Sequence, residues 1–351
     1  MIPATFKFGA LMEKGQAVIK EGELRELLPN ELLVKQEACN ICTTDYQQWQ
    51  GLREHQGYPM AGGHECSGIV VSVGEDVKKF KAGDRVSVLY DYCGTCENCV
   101  AGMITICQNK KIFGKNYSED YYGIFGFADY FIRNEKSFVK MDSALSPSEA
   151  GFVEPLGSVL HGLNKLRLRG GYDTIAVIGG GTMGLLNAAA AKAMGAKVFV
   201  SSRGEKKLEI GRRMGFEMID AGNCDAVEEV KRLTEGRGVD AVIVSAGTTS
   251  ANQQAIEMVK AQHGRILFYA AGYPAPGLEI DSNAIHYKNL ELIGTFGSEL
   301  TDFINAGKML SERRIDVSYL IEEKVPLSQI QEAFELASQK GKFRISVMLQ
   351  E

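Results

Sequence analysis

The chain has 351 residues, 45% hydrophobic and 24% charged, with a formal net charge of −5. This balance is ordinary for a globular protein, and so mild a charge argues against nucleic acid or an anionic membrane as the main partner. At one domain per roughly 150 residues the length predicts two domains, with a core large enough to need no disulfides.

The opening stretch, MIPATFKFGALMEKG, lacks a basic segment followed by an apolar run. Apolar stretches reach only about ten residues, against roughly 20 for a membrane span. The expected compartment is the cytoplasm, where thiols stay reduced and clustered cysteines point to metal rather than to disulfides.

Up to about residue 155 the segments are short and β-rich, with period-2 or continuous apolar character: ELLVKQEAC, SGIVVSVG and DRVSVLY. From about Tyr172 strands and helices alternate. TIAVIGGG, AKVFVSS, VDAVIVSAG, GRILFYAAG and LELIGTF read as strands, and MGLLNAAAAKAMG, EKKLEIGRRMG and ANQQAIEMVKA as helices. That order predicts an α/β fold with a doubly wound parallel sheet. Beyond Gly297 come two helical stretches and a last strand, FRISVMLQ, a tail too short to fold alone and expected to pack back on the N-terminal part. The predicted domains are 157–296 for the α/β module and 1–156 with 297–351 for a mostly β domain.

Four of the eight cysteines fall in one turn-rich loop, YDYCGTCENCVAGMITICQN, as Cys93, Cys96, Cys99 and Cys107. Four thiolates close the tetrahedral shell of a zinc ion and leave no position for substrate, so this spacing predicts a structural zinc site. A second set is scattered: Cys42, His64 with Glu65, and Glu154. One thiolate, one imidazole and one carboxylate would make an open, Lewis-acidic zinc site. Taken singly, His64 reads as a structural histidine, the two glutamates as solvated charges, and Cys39, Cys66 and Cys224 as small buried apolar residues.

Gly179, Gly181 and Gly184 stand in G-x-G-x-x-G register directly after an apolar strand and at the start of a helix, the context of a dinucleotide loop. Gly179 suits the tight turn, Gly181 the approach of the pyrophosphate, and Gly184 the packing of helix on strand. Thr182 and Met183 complete the loop. An NAD site calls for Asp or Glu about 20 residues on; here stand Ser201, Ser202 and Arg203, which suit a 2′-phosphate and favour NADP(H) over NAD(H). The other possibilities are that Arg203 only covers the adenine, or that Glu205 plays the acid's part. The nicotinamide end is expected near the strand tails that hold Ala246, Gly272 and Thr295.

Together these pieces resemble the zinc-containing medium-chain dehydrogenase/reductase family, the alcohol, sorbitol and threonine dehydrogenase kind. The resemblance runs from ICTTD through GGHECSGIVVSVGEDVKKFKAGDRV, the cysteine loop, FVEPLGSVLHG and VIGGGTMG to LELIGTFG and the C-terminal helices. It implies a Rossmann-type domain plus a mostly β, GroES-like catalytic domain. It matches Cys42 and His64 to catalytic zinc ligands, Glu65 to a carboxylate that ligates the metal in some members and supports it in others, and Glu154 to a carboxylate of the polyol branch. Thr44 matches the hydroxyl that hydrogen-bonds the substrate oxygen, and Asp45 a brace for the site. The outer histidine relay of many relatives is absent; Tyr46, Gln47 and Gln48 occupy that region, with His55 in a nearby loop.

The implied activity is hydride transfer between a secondary alcohol, polyol or sugar alcohol, phosphorylated ones included, and a nicotinamide cofactor. Zinc would lower the pKa of the substrate hydroxyl, and Thr44 would accept its proton or hold the alkoxide. Trp49, Tyr46, Phe113 and Tyr117 are candidate pocket residues, and Arg53, Lys110, Lys111 and Lys115 candidate phosphate contacts. The alternatives are an NADPH-dependent ketone or aldehyde reductase and a non-catalytic cofactor-binding sensor. Relatives form dimers and tetramers, so a homodimer or homotetramer is expected.

Overall fold

The structure, a computed structural model, describes residues 2–109 and 114–350. The chain divides into two compact units, Met1–Gly157 with Ser298–Glu351, and Ser158–Gly297.

Unit 1 opens with an antiparallel hairpin, β1 (Thr5–Glu13) and β2 (Gln16–Glu23), followed by β3 (Glu31–Asn40). Helix α1 (Thr43–Trp49), β4 (Glu65–Val73), β5 (Arg85–Val88), the short α2 (Glu97–Val100), β6 (Tyr130–Asn134) and β7 (Phe138–Lys140) come next. Then follow α3 (Pro147–Ala150) and α4 (Val153–Leu166), within which the unit boundary falls.

Unit 2 contains β8 (Thr174–Ile178), α5 (Thr182–Ala193), β9 (Lys197–Ser202), α6 (Glu205–Arg213), β10 (Glu217–Asp220) and α7 (Ala226–Leu233). It continues with β11 (Ala241–Val244), α8 (Thr249–Met258), β12 (Arg265–Phe268), α9 (Ser282–Lys288) and β13 (Glu291–Gly294). The chain returns to unit 1 with α10 (Leu300–Ser311), β14 (Ile321–Pro326), α11 (Ile330–Ala337) and β15 (Arg344–Met348).

Among the described residues the unit 2 sheet has six parallel strands in the order β10-β9-β8-β11-β12-β13. Numbered within the unit this is 3-2-1-4-5-6, the doubly wound dinucleotide-binding order, which opens its crevice beyond the carboxyl ends of β8 and β11. Val242, Ile243, Val177 and Ile266 are fully buried, as strands covered by helices on both faces require. The short edge strand β10 and helix α7 were not among the elements read from the sequence. β10 has four residues of mixed burial and carries little periodic signal.

In unit 1 the order is β14-β15-β3-β4-β5-β7, with β6 also paired to β3. The C-terminal tail does pack back: β15 runs antiparallel to β3, with Ser346 opposite Asn40, and parallel to β14. Its core gathers Leu32, Val34, Phe127, Phe334, Ile345 and Val347. Trp49 packs on this core with its ring stacked 6.4 Å from Phe334, and Tyr46 lies against the same cluster, so both serve packing. Phe113, Lys110 and Lys111 lie outside the described residues.

Candidate active site and metal centres

The ends of β3 and β4 carry the first donor set. Asn40 and Glu65 face each other across the antiparallel pair, so the turn into α1 after β3 brings Cys42 beside His64 and Glu65. Ligand atoms of Cys42, His64 and Glu65 all lie within 4.8 Å of one another. The Thr44 hydroxyl is 3.9 Å from Cys42 Sγ.

Asp45 ties this corner together. Its Oδ2 accepts from the Cys42 N–H at 2.9 Å and its Oδ1 from the Gly63 N–H at 3.3 Å, while the same Oδ1 is 3.4 Å from His64 Nδ1. A metal-binding histidine is oriented in this way, with one ring nitrogen held by a carboxylate and the other left to coordinate. Burial opposes a charge on His64, but Asp45 and then Cys42 outweigh it and raise the imidazole well above its ordinary value. A site that draws a proton onto its imidazole in this way is one where a cation replaces that proton.

Glu65 is completely buried and takes two hydrogen bonds from Arg344, at 2.8 Å from Nε and 2.6 Å from Nη2. Burial pushes the Glu65 carboxyl up, against the guanidinium. The same Nη2 is 3.6 Å from Cys42 Sγ. Arg344 escaped the sequence reading, although an arginine amid the apolar residues of FRISVML was the available signal.

Glu154 lies outside the Cys42–His64–Glu65 set. It is buried in the first turn of α4, and its Oε1 accepts a hydrogen bond from the Tyr90 hydroxyl. Its charge is nonetheless felt at both Glu65 and Arg344. Gln47, on α1, accepts from Arg53 Nε at 2.9 Å, and His55 is exposed in the following turn.

The second donor set is closed. Ligand atoms of Cys93, Cys96, Cys99 and Cys107 lie within 4.8 Å of one another; Cys93 and Cys99 sulfurs are 3.8 Å apart, Cys96 and Cys107 sulfurs 3.9 Å. Backbone N–H groups of Thr95 and Cys96 point at Cys93 Sγ, at 3.4 and 3.2 Å. The Thr95 N–H, then the side chains of Thr95 and Asn109 and the Cys96 N–H, pull the Cys93 thiol down to about 5. Burial and the neighbouring sulfurs push Cys99 up to about 12. Four thiolates this close repel one another unless a cation sits between them, so the residues fit a four-cysteine zinc site. Of the remaining cysteines, Cys39 and Cys66 are buried as expected, but Cys224 is exposed, because it sits on the loop after edge strand β10 with its sulfur 3.2 Å from the Asp220 carbonyl.

In unit 2 the turn from β8 to α5 has the shape a pyrophosphate needs. Gly179 takes φ +109°, which favours glycine. A Cβ on Gly184 would stand 1.7 Å from the Gly179 carbonyl oxygen, so only glycine lets α5 start there. A Cβ on Gly181 would meet nothing within 4 Å, which leaves space over the helix N-terminus, next to Thr182 and Met183, for an anion. Ser201 and Ser202 are buried at the end of β9, Ser202 beneath Gly180, and Arg203 is exposed beyond them. Glu205 is paired with Arg212 at 2.8 Å. The tails after β11 and β12 touch, since a Cβ on Gly272 would stand 2.3 Å from the Gly247 carbonyl, with Ala246 just before that glycine. Ser245 Oγ and Thr295 Oγ1, at the tails of β11 and β13, are buried without a hydrogen-bond partner among the described residues. Orphaned hydroxyls at the carboxyl ends of parallel strands fit a bound polar cofactor.

Two family models match the chain: the alcohol dehydrogenase GroES-like domain over residues 28–143 and the zinc-binding dehydrogenase over 182–312. An L-threonine 3-dehydrogenase of Bacillus subtilis is 33% identical, covering 94% of this chain and 95% of its own. A 2-dehydro-3-deoxy-L-galactonate 5-dehydrogenase of Pseudoalteromonas atlantica is 32% identical over 84% of each chain. A Sinorhizobium meliloti protein described as a zinc-binding dehydrogenase and solved bound to NADP superposes with a TM-score of 0.86 at 27% identity, over 99% of this chain and 100% of its own. The chain belongs to the zinc-containing medium-chain dehydrogenase/reductase family, on its polyol dehydrogenase-like side. It is a zinc-dependent oxidoreductase of alcohols that uses a nicotinamide cofactor. Among the described residues, no helix is long and apolar enough to cross a membrane.

Proposed function

We propose that this chain oxidises a secondary hydroxyl of a polyol or sugar alcohol, and reduces the matching ketone, with NADP(H) favoured over NAD(H). The observation that carries this reading is the open donor set of Cys42, His64 and Glu65 beside the Thr44 hydroxyl. A thiolate, an imidazole and a carboxylate leave one zinc position for an exchanging ligand. Residues 1–156 and 297–351 form the catalytic domain in this reading, and 157–296 the cofactor domain.

When bound among Cys42, His64 and the nearby carboxylates, zinc supplies Lewis acidity toward a substrate oxygen. Asp45 fixes the His64 ring through Nδ1, so that Nε2 is the nitrogen available to the metal. The Thr44 hydroxyl would accept a hydrogen bond from the substrate hydroxyl and orient it. Gln47, whose Oε1 is already taken by Arg53, is an amide that does not titrate, so the histidine relay of related enzymes has no counterpart at that position. Cys93, Cys96, Cys99 and Cys107 hold a structural zinc ion.

Gly179, Gly181, Thr182, Met183 and Gly184 bind the pyrophosphate, and Ala246, Gly272 and Thr295 the nicotinamide end. The preference for NADP(H) is supported by Arg203, exposed where an acid for the ribose 2′-OH would stand, and by the commitment of Glu205 to Arg212. Relatives named for L-threonine and for a deoxy-galactonate support a small hydroxylated substrate. A cytoplasmic homodimer or homotetramer completes the reading, with edge strand β13 and the exposed Tyr287 and Phe296 as the joining region.

Nicotinamide absorbance at near-ultraviolet wavelengths tests it, with zinc-loaded protein and a panel of polyols, phosphorylated polyols and simple secondary alcohols, each paired with NAD⁺ and NADP⁺. Turnover of a polyol with NADP⁺ preferred is the expected result. Turnover with NAD⁺ alone would overturn the role given to Arg203, and turnover of simple alcohols only would overturn the substrate class.

A further inference from the structure

Glu65 and Glu154 both bear on the Cys42 corner, but they are differently committed. Glu65 gives both oxygens to Arg344. Glu154 gives only Oε1, to the phenol of Tyr90, and its Oε2 has no hydrogen-bond partner among the described residues.

Tyr90 is itself held. It follows β5 in a chain stretch anchored by the Leu89 N–H on the Ser137 carbonyl at 3.0 Å. Its ring meets Phe303 edge-on, with centroids 5.0 Å apart and planes at 88°. Phe303, on α10, is fully buried and lies against Gly157, where a Cβ would come within 3.0 Å of the ring. Gly157 is one helical turn beyond Glu154 on α4. The four residues therefore close a loop: α4 seats Phe303 through Gly157, Phe303 backs Tyr90, and Tyr90 returns to α4 at Glu154. A side chain in the first turn of a helix, tied at one oxygen by a rigid aromatic donor, has lost most of its rotamer freedom.

We propose that Tyr90, backed by Phe303, is a positioning residue that fixes Glu154 by one carboxylate oxygen and leaves the other for the metal of the Cys42–His64 site or for a water on it. The proposal rests on reading that cluster as a metal site. Groups that orient metal-ligating side chains change metal affinity by about 10- to 100-fold when removed. Tyr90 thus sets, beside a Glu65 whose oxygens are both bonded to Arg344, a second carboxylate with an oxygen not tied to a guanidinium.

The test is metal binding by the full-length protein, independent of turnover. Metal content per chain and competition with a chromophoric chelator are measured for wild type, Cys42→Ser, Tyr90→Phe, Glu154→Gln and the Tyr90→Phe/Glu154→Gln pair. The ligand-field spectrum of each cobalt-substituted protein is recorded alongside. Wild type is expected to hold two metals per chain and Cys42→Ser one. Tyr90→Phe, folded as judged by circular dichroism, should bind the second metal about 10- to 100-fold more weakly and take on the spectrum of Glu154→Gln. The double variant should bind no more weakly than Glu154→Gln alone.

Wild-type affinity and spectrum in Tyr90→Phe would overturn the proposal, as would losses that add independently in the double variant. One metal in both wild type and Cys42→Ser would instead overturn the underlying metal assignment. Should Tyr90→Phe not fold, Phe303→Leu keeps the phenol and removes its backing. It should weaken the second metal in the same direction, and unchanged affinity in that variant would likewise overturn the proposal.

Discussion

Arg344 and Glu65, 279 positions apart in the chain, meet in the buried core of unit 1 through two hydrogen bonds of 2.6 and 2.8 Å. The pair forms because β15 runs antiparallel to β3, which is itself paired with the β4 strand that opens on Glu65. A buried charge left without its partner costs about 3–5 kcal/mol. Arg344→Met should therefore lower the stability of unit 1 by about 3 kcal/mol, read by urea denaturation. The double variant Arg344→Met/Glu65→Gln should recover part of that loss, and equal instability of single and double variants would contradict the pairing.

The cysteine lobe gives a pH prediction. Cys93, drawn down to about 5 chiefly by the Thr95 N–H, is already a thiolate at neutral pH in metal-free protein. Because the Cys99 thiol, pushed up to about 12, must release its proton to bind, zinc uptake by stripped protein should already weaken as the pH falls from 8 to 6, and more steeply below about 5, where Cys93 takes up a proton as well. Chelator competition across that range measures it. Cys107→Ser should abolish uptake by this lobe at every pH.

Unit 2 has its own acid-sensitive joint. Asp173, fully buried, receives Arg265 Nη2 at 2.8 Å and Arg169 through its backbone and side chain. Burial alone would raise its carboxyl, but these donors together hold it below the ordinary range. Its stabilisation is full above the unfolded value of about 3.9 and disappears as the pH falls through the lower, folded value. Asp173→Asn should lower the melting temperature at pH 7 and flatten its dependence on pH below about 4. A parallel curve for both proteins would rule the residue out.

At the glycine turn, Gly184→Ala would drive a methyl into the Gly179 carbonyl, 1.7 Å from the position of that Cβ. Loss of cofactor binding in this variant should exceed tenfold, measured by quenching or enhancement of nicotinamide fluorescence. Arg203→Ala should instead weaken NADPH while leaving NADH nearly unchanged, because only the former carries the 2′-phosphate.

Much of this was readable from the chain because it is local. The glycine loop lies between a strand and a helix adjacent in sequence, and four cysteines within one loop have few ways to avoid meeting. The alternation of strands and helices from Thr174 onward carries the doubly wound sheet directly. Tyr90 and Arg344 were harder, since their parts follow from strand register and helix packing rather than from neighbours in the sequence. Strand β10 was missed for a related reason: it is only four residues long and of mixed burial. Trp49 and Tyr46 were candidates for a pocket, and their packing against Phe334 and its neighbours is decided by α11, which lies far along the chain.

The split of unit 1 around unit 2 sets an order of completion during synthesis. Residues 158–297 are contiguous and leave the ribosome with every strand of their sheet already made. Cys42, His64 and Glu65 leave earlier still, yet the guanidinium that neutralises Glu65 comes at position 344. A nascent chain therefore has the whole nucleotide module in hand while its metal corner still waits for the strand that completes its sheet and for the counter-charge of Glu65.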